Sequence, residues 1–327
     1  MSAPDPDAED VKVSVAMVTY NHEPFIAQAI ESVLMQQTEF GVELLIGEDC
    51  STDGTREIVA EYAGRHPERI RPLWHEHNVG AQANSIAVLN ACRGQYIAAL
   101  EGDDYWTGPL KLQKQVDFLE AHPECSMCFH NVEVIYEDQS REPRNYCPSD
   151  QKEISGLEDI LKWNFIPTCS VMCRRGVVCE LPDWYHELAI GDWPLHILNA
   201  QYGDIGYIES VMGVHRVHRG GIWSSSSHVQ RGKAALQMYY HLRSYLGARY
   251  QKSIKMGMAK AYLGLAAAYA DEENIGEAKT NLWRSVAECP MNGLRQLEDV
   301  IALALRLYTP QIHTILKRIW RLPTASV

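Results

Sequence analysis

Buried-looking runs and one-sided helical stripes alternate along the first third of the chain. Residues 13–19 read as a buried strand, and residues 23–36 place Phe25, Ile26, Ala29, Ile30, Val33 and Leu34 on one helical face. The pair recurs: a strand over 42–47 and a helix over 55–65, a strand over 70–74 and a helix over 81–92, then a strand over 96–100. Strands alternating with helices of this length predict a parallel, doubly wound α/β sheet whose ligand lies at the C-terminal strand ends.

Past residue 110 the pattern is mixed. It predicts helices over 110–121 and 191–202, strands around 125–136, 170–173, 205–208 and 211–216, and a polar connection over 137–152. From about residue 227 it is wholly helical. Within 259–290, Ala261, Tyr262, Ala266, Tyr269, Gly276 and Ala278, closed by Cys289-Pro290, resemble one tetratricopeptide unit. One unit does not make a solenoid, so this stretch reads as a helical appendage. The expected organisation is a frayed tail over 1–10, an α/β domain over 11–226 and a tetratricopeptide-like helical domain over 227–327.

Composition, 46% hydrophobic and 22% charged in 327 residues, is that of a soluble globular protein with one large domain plus an addition, or two domains. The charge is unevenly spread. Up to residue 230 there are 16 basic and 35 acidic side chains, a balance of −19; beyond it there are 14 and 7, a balance of +7. Nucleic acid is therefore not expected as a partner of the main body, whereas the basic part suits an anionic surface. Residues 310–321 place Ile312, Ile315, Leu316, Ile319 and Trp320 on one face beside Lys317, Arg318 and Arg321. That pattern favours sealing of the helices before it, with peripheral membrane contact through the C-terminal helices as the alternative.

Nine cysteines without a disulfide-like framework, no secretory leader pattern and no apolar run of spanning length predict a cytoplasmic protein, at most attached to the inner face of the membrane. Cys125 and Cys128 are expected to be buried thiols and His75-Glu76-His77 a loop, because neither has zinc-site spacing.

The predicted strand ends carry the chemistry. Thr19-Tyr20-Asn21 follows the first, Glu48-Asp49 through Thr55 the second, Asn78-Val79-Gly80 the third and Glu101-Gly102-Asp103-Asp104 the fourth. Three carboxylates within four residues stay ionised together when a cation joins them, and oxygen ligands suit Mg²⁺ or Mn²⁺ shared with a phosphate-bearing substrate. The competing local reading is a turn before a helix capped by Thr107. Walker and G-x-G-x-x-G loops are absent from the sequence.

These segments, namely Val15-Ala16-Met17-Val18-Thr19-Tyr20-Asn21, Glu48-Asp49-x-Ser51-x-Asp53-Gly54-Thr55, Asn78-x-Gly80 and Glu101-x-Asp103-Asp104, resemble the family 2 glycosyltransferases, especially bacterial enzymes that decorate surface polysaccharides. Ile190-Gly191-Asp192 and Arg216-x-His218 extend the resemblance, which covers roughly residues 11–225. It implies a GT-A (Rossmann-like) doubly wound mixed sheet. It also implies an inverting, metal-dependent enzyme that moves a hexosyl or N-acetylhexosaminyl group from a nucleotide sugar, preferentially UDP-linked, to a glycan or lipid-linked saccharide acceptor.

By the same resemblance, Thr19, Tyr20, Asn21, Glu48, Asp49, Asn78, Glu101 and Asp103 serve the donor, with the Thr19-Tyr20 backbone and Asp49 at the base and Asp103 at the ribose. An ionised Asp only accepts hydrogen bonds, which suits the imide N–H of uracil. Asp104 and His218 would ligate Mn²⁺ or Mg²⁺. Glu48 and Glu101 stand where the family pattern carries Asp, keeping the charge and adding a methylene.

Sugar transfer needs charge neutralisation on the departing diphosphate and removal of a proton from the acceptor hydroxyl. Asp192 is the base the resemblance implies; an N-cap is its structural alternative. One displacement with one base inverts the anomeric centre. Arg216 and Arg219 are candidates to pair with diphosphate from a flap continuing through Gly220-Gly221 to Ser227. Asp53-Gly54 reads as turn and cap, and Trp106, Trp193 and Trp223 as pocket or core. Two other functions fit less well. A sugar nucleotidyltransferase would carry a Gly-rich basic loop where Tyr20-Asn21-His22-Glu23 stands, and an interaction protein with a remnant site has no need of Glu101, Asp103, Asp104 and Asp192 together.

Overall fold

The structure, a computed structural model, describes residues 11–178, 180–289 and 294–309. The tail expected over 1–10 and the amphipathic segment over 310–321 lie outside the described residues. The chain splits into two compact units. One runs to Ile160 and resumes over Asn164–Ser224; the other joins Leu161–Trp163 to the chain from Ser225 onward.

The first unit opens with the expected alternation: β1 (Val11–Thr19), α1 (Ile26–Leu34), β2 (Gly41–Glu48), α2 (Thr55–Arg65), β3 (Ile70–Trp74), α3 (Ala81–Ala91) and β4 (Tyr96–Glu101). These four strands pair in parallel in the order β3-β2-β1-β4. Because side chains alternate across a strand, β1 feeds two cores. Val13, Val15 and Met17 pack with Ile26, Ile30 and Val33 of α1, while Ala16 packs with Val88 of α3 on the other face.

Beyond β4 the sheet becomes mixed, as the GT-A resemblance implies. β5 (Tyr105–Trp106), α4 (Lys111–Ala121), β6 (Cys125–Tyr136), β7 (Arg144–Asn145), β8 (Ile154–Ser155), α5 (Leu157–Ile160), β9 (Met172–Arg174), α6 (Asp192–Asn199), β10 (Asp204–Val217) and α7 (Ile222–Ser225) follow. The strand order continues β4-β9-β6-β10-β5, with β9 antiparallel to both neighbours, β10 parallel to β6, and β5 antiparallel to β10. Cys125 and Cys128 are buried thiols of β6, and His75-Glu76-His77 is loop.

The two strands expected at 205–208 and 211–216 are one. The register of β10 against β6 shifts between Ile208 and Val211 and again between Val211 and Val214. Glu209-Ser210, polar residues that look like a break, thus lie in a bulged stretch, and Val211 is 46% exposed. Past the bulge, Gly213 and Val214 pair with β5, so the strand carries His215 and the residues after it to the acidic turn that precedes β5.

In the second unit, α8 (His228–Tyr245) starts from a capping box formed by Ser227 and Gln230. It is followed by α9 (Gln251–Asp271), α10 (Ile275–Glu288) and α11 (Leu294–Tyr308). Small residues let α9 and α10 pack closely: Ala266, Ala270 and Ala278 form a core with Leu282, Leu303 and Leu307, and Ser285 Oγ donates to the Ala259 carbonyl at 2.7 Å. Among the described residues no helix is long and apolar enough to cross a membrane.

Candidate active site

The loops after β1 and β2 are laced together by short polar side chains. Asn21 takes φ 54°, a left-handed conformation that asparagine tolerates. Its N–H donates to Ser51 Oγ (3.0 Å) and its Oδ1 accepts the Thr52 N–H (2.8 Å). Asp53 accepts the N–H groups of Glu23 (3.1 Å) and Thr55 (3.0 Å), the turn role expected of it, while the N-cap of α2 is Gly54 and no side-chain capping bond forms. Glu48 is fully buried; it accepts the Ser51 N–H at 2.7 Å and lies 3.4 Å from Arg56 Nε. Asp49, also buried, accepts the Val79 N–H on Oδ1 (2.7 Å) and the Gly80 N–H on Oδ2 (2.9 Å), which ties the third loop to the second. Tyr20 and Asn78 are exposed beside it, and Thr19 is buried.

The acidic turn reaches this loop cluster through Gly102. A Cβ there would lie 2.6 Å from Thr19 Oγ1 and 2.9 Å from His22 Nδ1, so only glycine permits the approach. Asp103 is thereby set beside two imidazoles: its Oδ2 is 3.0 Å from His218 Nε2 and 3.7 Å from His22 Nε2. His22, Asp103 and His218 each offer one ligand atom, all within 4.8 Å of one another. Burial holds the His22 imidazole below its ordinary pKa, with Asp103 opposing that shift and His218 reinforcing it. For Asp103, burial pushes the pKa up, but the His218 hydrogen bond and the charges of His22 and His218 outweigh it and leave the carboxyl below its usual value.

Asp104 faces elsewhere. Its Oδ1 accepts the Arg216 N–H (2.8 Å) and its Oδ2 lies 3.1 Å from His215 Nδ1. Desolvation opposes charge on His215, yet the charge and hydrogen bond of Asp104 push it up to about 9. Glu101 has the opposite fortune. Its Oε2 is sealed from solvent without a hydrogen-bond partner among the described residues, and burial, then the charges of Asp104 and Asp103, push its pKa well above the carboxylate range.

Asp104 and His218, the expected metal ligands, have different partners here: Asp104 meets the Arg216 N–H and His215, whereas His218 meets Asp103. Arg216, expected at the diphosphate, is engaged within the protein. It is 7% exposed, its Nε bonds Glu137 (2.9 Å), its Nη1 the Asp103 carbonyl (2.8 Å) and its Nη2 Gln28, and it lies 4.5 Å from the centre of the Tyr105 ring. Arg219 is exposed, within the electrostatic reach of Asp138. His22 and His215 carry site geometry that the sequence reading left unassigned; for His22 the available signal is its place directly after Thr19-Tyr20-Asn21.

Asp192 is the first residue of α6, but Gly191 is the N-cap and no side-chain capping bond forms. The carboxylate instead faces the segment before β9: Oδ2 accepts Asn164 Nδ2–H (3.1 Å) and the Thr168 hydroxyl (3.3 Å). Its charge contributes to the raised pKa of Glu101. Nothing in the sequence singles out Asn164 or Thr168. Trp106 is a core residue whose Nε1–H donates to the Cys169 carbonyl (2.7 Å), Trp193 donates to the Ile160 carbonyl (2.8 Å), and Trp223 is exposed.

Residues 14–179 match the model of glycosyl transferase family 2. An uncharacterized protein of Mycobacterium tuberculosis is 42% identical over 214 residues, which cover 65% of this chain and 61% of that one, so the match spans under two thirds of the relative's length. In fold, the chain is similar to S. aureus TarS 1–349 in complex with UDP-GlcNAc, with a TM-score of 0.65, 20% identity, and 93% of this chain and 88% of that chain covered. It is also similar to the mannosyltransferase PcManGT from Pyrobaculum calidifontis in complex with GDP-Man and Mn²⁺, with a TM-score of 0.56, 16% identity, and 98% and 90% covered.

Proposed function

Because the chain belongs to glycosyltransferase family 2 and has the GT-A fold, we propose that it transfers a hexosyl or N-acetylhexosaminyl group from a nucleotide sugar to a hydroxyl of a glycan or lipid-linked saccharide, with inversion. The observation that carries this reading is the gathering of a carboxylate–imidazole cluster, His22, Asp103 and His218, on the C-terminal edge of a sheet whose neighbouring strand ends and turns carry Asp49, Glu101 and Asp104. A UDP donor is favoured by the fold neighbour that holds UDP-GlcNAc; GDP-Man in the other makes GDP the comparison to run. Residues 11–226 carry the chemistry in this reading, and the described residues from 227 onward form a helical appendage. The described cysteines are all free thiols, which suits a reducing cytoplasm, with attachment at the inner membrane face left to the C-terminal helices.

His22, Asp103 and His218 would hold the divalent cation. Two imidazoles with one carboxylate fit Mn²⁺ better than Mg²⁺, which prefers an all-oxygen shell. When bound, the cation supplies Lewis-acid stabilisation of the departing diphosphate. The lowered pKa of His22 keeps its ring neutral and its lone pair available. Asp49 and Glu48 hold the loops that face the base. Asp192 takes the acceptor proton: Asn164 and Thr168 occupy Oδ2, which leaves the lone pairs of Oδ1 for the hydroxyl. As that proton leaves, the hydroxyl oxygen bonds the anomeric carbon and the bond to diphosphate breaks on the opposite face.

A thermal-shift screen of UDP- and GDP-sugars, with Mn²⁺ or with chelator, tests this. Stabilisation by a UDP-sugar that requires Mn²⁺ is expected. Equal stabilisation in chelator removes the metal, and silence from every nucleotide sugar overturns the reading. Release of pyrophosphate from a nucleoside triphosphate would favour nucleotidyl transfer instead.

A further inference from the structure

The helical unit contains a groove that none of the donor-site chemistry uses. Lys233, Leu236 and Tyr240 of α8, Tyr262 and Tyr269 of α9, and Arg284 of α10 line a cavity of about 450 Å³, a size in the range of small-molecule sites. The spacing is helical: Lys233 and Tyr240, like Tyr262 and Tyr269, are seven residues apart and share a face. Tyr240 and Tyr262 meet through their hydroxyls, and Tyr240 remains 52% exposed.

The cations of this groove differ from their neighbours. Elsewhere in the same unit Arg243 pairs with Glu288 (3.1 Å) and Arg306 with Asp271 (2.7 Å). Among the described residues Lys233 and Arg284 have no carboxylate partner; each is only near a tyrosine ring, Lys233 Nζ 5.9 Å from the centre of Tyr269 and Arg284 Cζ 6.0 Å from that of Tyr262. The one acid lining the groove, Glu277, lies 3.3 Å from Asn281 Nδ2. The sequence from residue 231 carries a balance of +7 while the rest carries −19, so an anion is drawn to this unit rather than to the other.

We propose that this groove binds an acidic saccharide, the acceptor chain of the transfer reaction; the role as acceptor rests on the transferase reading above. Aromatic faces receive the C–H face of a sugar ring, and Lys233 and Arg284 receive its carboxylate or phosphate. An extended acidic peptide is a poorer match. Peptide recognition along a strand draws on backbone partners, and here the walls are helices whose N–H and C=O groups are already paired.

Calorimetric titration of tetragalacturonate, maltotetraose and a tetraglutamate peptide into the full-length chain tests this, alongside the exposed double variant Lys233→Gln/Arg284→Gln. Tetragalacturonate is expected to bind and to lose at least tenfold in affinity in the variant, with an unchanged melting midpoint and unchanged UDP affinity in Mn²⁺. No binding of tetragalacturonate, equal binding of maltotetraose or the peptide, or undiminished binding by the variant overturns the proposal. Tetragalacturonate binding without turnover of any nucleotide sugar refutes the transferase reading and leaves the groove a saccharide site; turnover without that binding does the reverse.

Discussion

Glu43 and Glu101 sit at opposite ends of the same sheet and meet opposite fates. Near the N-terminal end of β2, Glu43 is 2% exposed and fully served: Oε1 accepts the Ser14 hydroxyl (2.6 Å) and the Arg93 N–H (3.0 Å), and Oε2 accepts Arg71 Nη1–H (2.7 Å) and Arg93 Nη2–H (2.9 Å). Burial alone would raise its pKa, but these bonds outweigh it and hold the carboxyl low. At the C-terminal end of β4, Glu101 has an unpartnered oxygen and two acids beside it, and its pKa is raised. A carboxylate supplied with donors ties strands together. One left without them costs stability and marks where positive charge is to arrive.

The largest expected effect lies at the costly end. Asp192→Asn should lower kcat by about 10³-fold in a transfer assay, while UDP affinity in Mn²⁺ stays as it was; full turnover would remove Asp192 as the base. Next comes the served end. Glu43→Ala should lower unfolding free energy in urea by about 3 kcal/mol, the low end for a broken buried pair because Arg71 and Arg93 are partly exposed. Nucleotide affinity should not move with it.

Glu101→Gln should behave in the contrary way. A neutral amide removes the buried charge that Asp104 and Asp103 disfavour, so the metal-free unfolding free energy should hold or rise, by about 1 kcal/mol at most. Its Mn²⁺-dependent stabilisation by a UDP-sugar should shrink. A loss of stability as large as at Glu43 would erase the contrast between the two ends.

The smallest effect is in pH. The His215 pKa rises from 6.5 to about 9, so its contact with Asp104 stabilises fully below pH 6.5 and is lost as pH rises through about 9. The side chain is 40% exposed, and solvent screening leaves less than about 1 kcal/mol. His215→Gln should flatten the stability curve in that window. Glu43, with its lowered pKa, gives the opposite sign: its contribution is present above its usual pKa and fades as pH falls through the folded-state value.

Much of this protein could be read along the chain. The alternation from β1 to β4 follows from side-chain periods of two and about 3.6, which depend on neighbours in sequence alone. The family and its fold were legible because the acidic segments at successive strand ends keep a fixed order and residue type. What remained hidden depends on strands that meet from far apart. Whether His218 finds Asp103 or Asp104 is decided by the register of β10, whose bulge resets the pairing of residues 111 or more positions away in sequence from the acidic turn. Neighbouring side chains on an extended backbone face opposite ways, so a shift of one residue turns His215 away from Asp104. The same holds for Asn164 and Thr168, ordinary polar residues until α6 brings Asp192 to them, and for Arg216, whose fate inside the protein was set by the groups of Gln28, Glu137 and Asp103 that folding placed around it.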